Sequence, residues 1–339
     1  MRALLYPDYE RVENAQVSEP PALGADEVRL RVAACGICGS ELEAFKNRSP
    51  RRVPPLVLGH EFCGTIEEIG SGVQGWAVGH RVVSNSVVPC GRCIRCERGD
   101  SHLCATRQIF GMNRPGALAD RVNVPARCLI PWPETLSAEQ ACLAEPLANG
   151  IHVTHLTEQC PVEWALVVGA GPIGLFCQQS LQAMRGAKVI VADFNDDRLA
   201  VAKKLGAAKT VNSRREDLVA IARATTAGEG VDLAVDAVGG GDTKRTSIEA
   251  TRPGGAVVWI GLHENAVTLD SFGITLLEKK VFGTYAATID DLRLALDLMA
   301  TGKVDAHSWT TRVSLNDAEQ GFRRALAAKG TDIKMVVCP

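Results

Sequence analysis

The sequence predicts an α/β protein of two domains, one β-rich and one built on a doubly wound parallel sheet. Three observations predict it. The chain has 339 residues, enough for about two domains at ~100–200 residues each. Up to about residue 150 it is rich in Gly, Pro and short β-type runs. After Pro146 such runs alternate with helical ones, and Gly169-Ala170-Gly171-Pro172-Ile173-Gly174 stands between a strand and a helix.

In the first half, Val28–Ala33, Gly64–Ile69 and Arg81–Ser84 read as strands, separated by turns at Pro20–Pro21, Pro54–Pro55 and Gly70–Gly75. In the second, strand Trp164–Val168 leads through the glycine turn into helix Ile173–Met184. Strand Lys188–Ala192 and helix Asp196–Leu205 follow, then strand Thr210–Val211 and helix Asp217–Thr225. Strand Leu233–Asp236, helix Thr243–Thr251 and strand Ala256–Ile260 continue the alternation, and Lys280–Gly283 extends the sheet. Helices at Asp290–Thr301 and Asn316–Ala328 and a strand at Lys334–Cys338 complete the chain. There is no internal repeat and no low-complexity tract.

Composition narrows the function classes. Apolar residues make up 46% and charged residues 22%, with a net charge of -2. That is a globular balance, with no charge excess pointing to nucleic acid or a membrane surface. The start, MRALLYPDYERVEN, lacks the apolar core of a signal peptide, and Ala256 to Ile260 falls far short of a membrane span of about 20 residues. A cytoplasmic protein is expected.

The glycine segment has the context that dinucleotide binding requires. Gly169 allows the tight turn, Gly171 lets a pyrophosphate approach the backbone, and Gly174 lets helix and strand pack closely. Pro172 and Ile173 open the helix, whose free N–H groups face the phosphates. Asp193 ends the next strand, about 20 residues on, where a carboxylate binds ribose hydroxyls and repels a 2′-phosphate. Arg198 is one turn further and within reach of the same ribose. NAD is therefore expected, in preference to NADP.

Four of the twelve cysteines, Cys90, Cys93, Cys96 and Cys104, lie close together in the chain. In a reducing compartment this spacing reads as a tetrahedral thiolate cage for one zinc. Four thiolates leave no open position, so that zinc is structural. Cys63, Cys142, Cys160 and Cys177 read as packing. Three further segments carry donors for a second, catalytic zinc: Cys35-Gly36-Ile37-Cys38-Gly39-Ser40-Glu41, Gly59-His60-Glu61 and Ala144-Glu145-Pro146.

Taken together, CGICGS, GHEFCG, the four-cysteine lobe, EPLANGIH, GAGPIG with Asp193, and the PGG at 253–255 resemble the zinc-containing medium-chain dehydrogenases over essentially the whole chain. The resemblance implies a GroES-like catalytic domain of residues 1–148 and 287–339, with its zinc lobe at about 88–106. A Rossmann domain of residues 149–286 would be inserted within it, with the active site in the cleft between them. Cys38 and His60 match catalytic zinc ligands, and Glu145 matches the third ligand of the polyol branch. Glu61 matches a glutamate that binds zinc when water leaves, so the resting ligand is Glu61 or Glu145. Ser40 matches the hydroxyl that accepts the substrate proton. Two positions depart from the pattern. Glu41 stands where relatives have the aspartate that orients the zinc histidine. Glu43 stands where many have a relay histidine; it is a relay base or a solvated acid.

The expected reaction is the reversible oxidation of a secondary hydroxyl on a polyol or polyol phosphate to a ketone, with NAD and two zincs per chain. Lys46, Arg48, Arg51 and Arg52 offer a basic stretch for an anionic substrate group or form a solvated loop. Phe45, Met112, Arg114 and Tyr285 are candidate pocket residues. Alternatives are an enzyme of the same fold acting on L-threonine, an amino alcohol or a simple secondary alcohol, and a silent NAD-binding structural protein. The resemblance also implies a homodimer or homotetramer, paired near Ala256–Ile260 and the segment after it.

Overall fold

The computed structural model describes residues 1–328 and 330–339. They form two compact units: Met1–Glu145 with Ala287–Gly302 and Ala306–Pro339, and Pro146–Ala286 with Lys303–Asp305.

The first unit is organised around strand Glu27–Gly36. Burial alternates along Val28, Leu30 and Val32 and becomes continuous over Ala34–Gly36. The early part thus has one face to the core, while the end is enclosed on both sides. It pairs antiparallel with Glu61–Ile69, Arg121–Pro125 and Lys334–Cys338. These belong to a seven-stranded sheet that also holds Arg81–Ser84, Leu129–Pro131 and Thr310–Ser314. The C-terminal strand sets Val337 against Cys35, while Cys35 faces Phe62 on the other side. Residues from the beginning and the end of the chain therefore meet at one place. A three-stranded sheet, Arg11–Gln16, Arg2–Asp8 and Leu56–Val57, packs into the same core. Phe62 and Phe110 anchor that core edge to face, with centroids 5.2 Å apart.

The second unit is a six-stranded parallel sheet in the order Lys209–Asn212, Lys188–Asp193, Trp164–Val168, Val231–Asp236, Thr251–Trp259, Lys280–Gly283. Ala165, Leu166 and Val167 are fully buried, as expected where helices cover both faces. The order reverses on either side of Trp164–Val168, and ligands bind at such a switch point. Helix Pro172–Arg185 starts there with Pro172 at its first position and ends on Gly186 in a left-handed cap.

Elements differ from expectation mainly at their ends. The strand expected at Ala256–Ile260 runs Thr251–Trp259 and includes a register shift against its neighbour. The helix expected at Asn316–Ala328 is Ala318–Ala327, preceded by a 3-10 turn at Leu315–Asp317. Helix Ala144–Leu156 and strands Arg2–Asp8 and Arg11–Gln16 were not foreseen. Among the described residues no helix is long and apolar enough to cross a membrane.

Candidate active site

The cysteine lobe is compact. The ligand atoms of Cys90, Cys93, Cys96 and Cys104 all lie within 4.8 Å of one another. Cys93 and Cys96 sulfurs are 3.5 Å apart and those of Cys90 and Cys96 4.0 Å. A tetrahedron with Zn–S bonds of about 2.3 Å has S···S edges of about 3.8 Å, so the spacing fits one zinc. The Cys90 backbone N–H donates to Cys104 Sγ at 3.4 Å, and such donation draws the Cys104 thiol down to about 6. Burial and the neighbouring thiols push Cys96 up to about 11.

The second cluster joins three segments. Cys38 is the N-cap of helix Gly39–Lys46. His60 and Glu61 come from the entry to strand Glu61–Ile69. The ligand atoms of Cys38, His60 and Glu61 lie within 4.8 Å of one another. Glu145, in the first turn of Ala144–Leu156, is buried, and His60 and Glu61 both act on its carboxyl. Its Oε1 accepts from Ser86 Oγ at 2.6 Å. Burial, with Glu61 beside it, pushes the Glu145 carboxyl up, and a cation there would relieve both effects.

Glu41, one methylene longer than the aspartate it replaces, reaches His60. It is 1% exposed, and Oε1 accepts from Gly59 N at 2.7 Å and faces His60 Nδ1 at 3.1 Å. Oε2 accepts from the Cys38 N–H at 3.0 Å. Gly59 offers that N–H from a left-handed conformation, φ +106. With Nδ1 engaged, His60 Nε2 is left for a metal. Burial works to raise the Glu41 carboxyl, but His60, Arg52 and the Cys38 N–H outweigh it and hold it at about 2. Glu41 therefore orients His60 as a carboxylate.

Ser40 is exposed, and its Oγ donates to Cys38 Sγ at 3.3 Å. Glu43 is half-buried and accepts from Asn47 Nδ2 at 3.0 Å. Two groups at this site carried no sequence motif. Lys334 is 2% exposed, ion-pairs with Glu61 and donates to Ile37 O at 2.9 Å. Its one sequence signal is a charge heading an apolar strand, KMVVC. Ser86 is the other, and nothing in the sequence pointed to it.

In the second unit, Gly174 packs so closely that a Cβ would fall 1.7 Å from Gly169 O. A Cβ on Gly171 would meet nothing within 4 Å, leaving the open space a pyrophosphate needs. The Asp193 carboxylate closes the turn, with Oδ2 accepting from Ala170 N at 2.7 Å and Oδ1 from Asn195 N at 2.9 Å. Arg198 Nε is buried without a partner among the described residues, as though awaiting one. Pro172 and Ile173 lie in the first turn of the helix.

Some expectations dissolve on inspection. Phe45 is partly buried and packs against the core, its ring 5.4 Å from Phe322. Arg114 is paired with Glu27 at 2.5 Å and stacked over Phe110. In the basic stretch, Arg48 pairs with Glu10 at 2.5 Å and Arg52 is turned inward, leaving Lys46 and Arg51 exposed. Cys63, Cys142, Cys160 and Cys177 are buried, as expected of packing residues.

A zinc-ligand cluster in one unit and a dinucleotide turn in the other define a zinc- and nicotinamide-dependent dehydrogenase. Known proteins agree. Residues 24–134 match the Alcohol dehydrogenase GroES-like domain and residues 172–301 the Zinc-binding dehydrogenase domain. L-idonate 5-dehydrogenase of Vitis vinifera is 33% identical over 93% of this chain and 89% of its own length. L-threonine 3-dehydrogenase of Chelativorans sp. is 31% identical, covering 89% of each. The structure of galactitol-1-phosphate dehydrogenase from Escherichia coli superposes with a TM-score of 0.91 at 27% identity, over 100% of both chains. The chain belongs to the zinc-containing medium-chain dehydrogenase family.

Proposed function

We propose that this enzyme reversibly oxidises a secondary hydroxyl of a polyol or polyol phosphate to a ketone, with NAD as hydride acceptor and two zincs per chain. The observation that carries the proposal is the grouping of Cys38, His60 and Glu61 within 4.8 Å, with Glu145 buried beside it. Cys38 and His60 hold the catalytic zinc, with Glu145 or Glu61 as the third donor. Cys90, Cys93, Cys96 and Cys104 hold the structural one. When bound, the catalytic zinc supplies the Lewis acidity that makes the substrate hydroxyl acidic. Glu41 keeps the His60 ring turned toward the metal position. Ser40 takes the substrate proton, and Glu43 or solvent takes it onward. The open turn at Gly171 receives the pyrophosphate, while Asp193 and Arg198 meet the adenosine ribose. A negative charge at Asp193 favours NAD.

The relatives support a polyol: one is named for L-idonate and one for galactitol 1-phosphate. The threonine-named relative supports the second reading, an amino alcohol. For a phosphorylated substrate, exposed Arg51 and Lys46 are the anion-binding candidates. We place the enzyme in the cytoplasm, because a four-cysteine zinc cage suits a reducing compartment. We further propose a homodimer or homotetramer through strand Lys280–Gly283, an edge strand that carries exposed Val281 and is preceded by exposed Phe272 and Leu276. Light scattering tests this, and a monomer would reject it.

The test of function is NAD reduction at about 340 nm with polyols, polyol phosphates, L-threonine and simple secondary alcohols, before and after chelation. Turnover of a polyol class, lost on chelation and restored by zinc, supports the reading. Turnover confined to L-threonine moves it to the second reading.

A further inference from the structure

Arg52 is 4% exposed, yet among the described residues no carboxylate lies within ion-pairing distance of it. A buried cation without an ion pair is costly and calls for a reason. Its donors converge. Nε donates to Gly111 O at 2.9 Å, Nη1 to Ser40 O at 2.9 Å and Nη2 to Ser40 Oγ at 3.2 Å. The guanidinium therefore grips Ser40 by both backbone and hydroxyl, with Gly111 fixing its plane. Ser40 Oγ in turn donates to Cys38 Sγ at 3.3 Å.

We propose that Arg52 is a positioning residue that gives proton transfer through Ser40 its direction, an inference that rests on the dehydrogenase reading above. A hydroxyl has one hydrogen and two acceptor lone pairs. Arginine has no acceptor and does not deprotonate in proteins, so Arg52 occupies one lone pair and cannot take the hydrogen. One lone pair remains for the substrate O–H. The substrate proton moves to Ser40 Oγ as Ser40's own proton, which points to Cys38 Sγ at rest, turns from it and leaves, away from Arg52, to solvent directly or by way of Glu43. Hydride goes to the nicotinamide, so each oxidation releases one proton. The positive charge also steadies the serine oxygen while the two protons exchange. Lysine, a single point charge, cannot hold Gly111 and both Ser40 oxygens in one plane.

The test is a double-mutant cycle of Arg52→Met and Ser40→Ala, with zinc content as the control. Arg52→Met is expected to lower kcat by about 10- to 100-fold, with KM changed less than about threefold and both zincs retained. Added to Ser40→Ala it is expected to cost nothing further, because it acts through Ser40. Losses that multiply, or a kcat within about twofold of the unmutated enzyme, overturn the proposal. If Arg52→Met does not fold, the cycle is run with Arg52→Lys under the same criterion. A second readout needs no turnover: the Cys38 thiolate-to-metal absorption of cobalt-substituted enzyme. Both single variants are expected to shift that band, and together no more than Ser40→Ala alone. A shift in Ser40→Ala with none in Arg52→Met rejects the inference. If the unmutated enzyme turns over no substrate, the functional reading fails, and the cobalt band still decides the role of Arg52.

Discussion

Replacing Lys334 by Met is expected to be among the most damaging single changes in this chain. The side chains of Lys334 and Glu61 are each 1% exposed, so their ion pair receives almost no solvent screening. Lys334 also donates to Ile37 O at 2.9 Å, tying the last strand to the metal-site loop. Removing one partner of a buried pair leaves the other uncompensated, a loss of about 3–5 kcal/mol. At about 2–4 °C per kcal/mol for a domain of 150–250 residues, that is a fall in Tm on the order of 10 °C. Denaturant unfolding of the chelated protein measures it free of any zinc contribution. The control is Glu61→Gln with Lys334→Met, which removes both charges and should recover most of the loss. The pH dependence has a definite sign. Burial works to discharge Lys334, but Glu61 and the Cys38 thiol outweigh it and raise its pKa. A group raised in the folded state contributes stability that is fully present below its unfolded pKa and lost only as pH rises through the folded one. The contribution should thus persist through neutral pH and disappear only beyond the ordinary lysine range. A loss below about 1 kcal/mol in Lys334→Met, or a double variant no better than the single, would refute the reasoning.

Further outcomes follow from the same geometry. Cys93→Ser breaks a four-thiolate cage, and atomic absorption should find bound zinc falling from two to one per chain, with a lowered Tm; two retained zincs would exclude the lobe as a zinc site. Glu41→Gln removes the charge that orients His60, and competition with a chromophoric chelator should show catalytic-zinc affinity about 10- to 100-fold weaker. Unchanged affinity would make Glu41 a helix cap only. Gly174→Ala places a Cβ 1.7 Å from Gly169 O, so the turn must shift and NADH fluorescence titration should show binding at least about tenfold weaker. Equal affinity would mean that the turn is not the cofactor site.

What could be read from the sequence was what is local in it. The glycine turn, with its strand, helix and following acid, spans few residues, and the structure assembles it in that order. The cysteine lobe closes within one short segment for the same reason. Cys38, His60 and Glu61, which the structure groups within 4.8 Å, were linked by family motifs and not by their spacing. Lys334 was not legible, because it reaches Glu61 across 273 positions. The same holds for Ser86, 59 positions from Glu145. Arg52 was misplaced for a different reason: among exposed basic neighbours it looked like surface, and only the backbone path turns it toward Ser40. Helix Ala144–Leu156 escaped because its buried, largely apolar run shows little of the periodicity that marks an amphipathic helix.

Those unforeseen residues change how the site should be understood. The motif residues concentrate acidic groups: the Cys38 thiol and the carboxyls of Glu41, Glu61 and Glu145, all three carboxyls buried. Such a concentration is unstable by itself, and the raised pKa of Glu145 is its direct expression. Lys334 answers Glu61 by direct contact, and Arg52 helps hold Glu41 ionised from a short distance. The acidic groups meet two fixed cations, and Cys38 and Glu41 also raise the pKa of His60 against its burial, so a divalent ion bound here would take over part of that compensation. Mutating Lys334 should perturb the site as surely as mutating a ligand, because it adjusts the charge the metal has to meet.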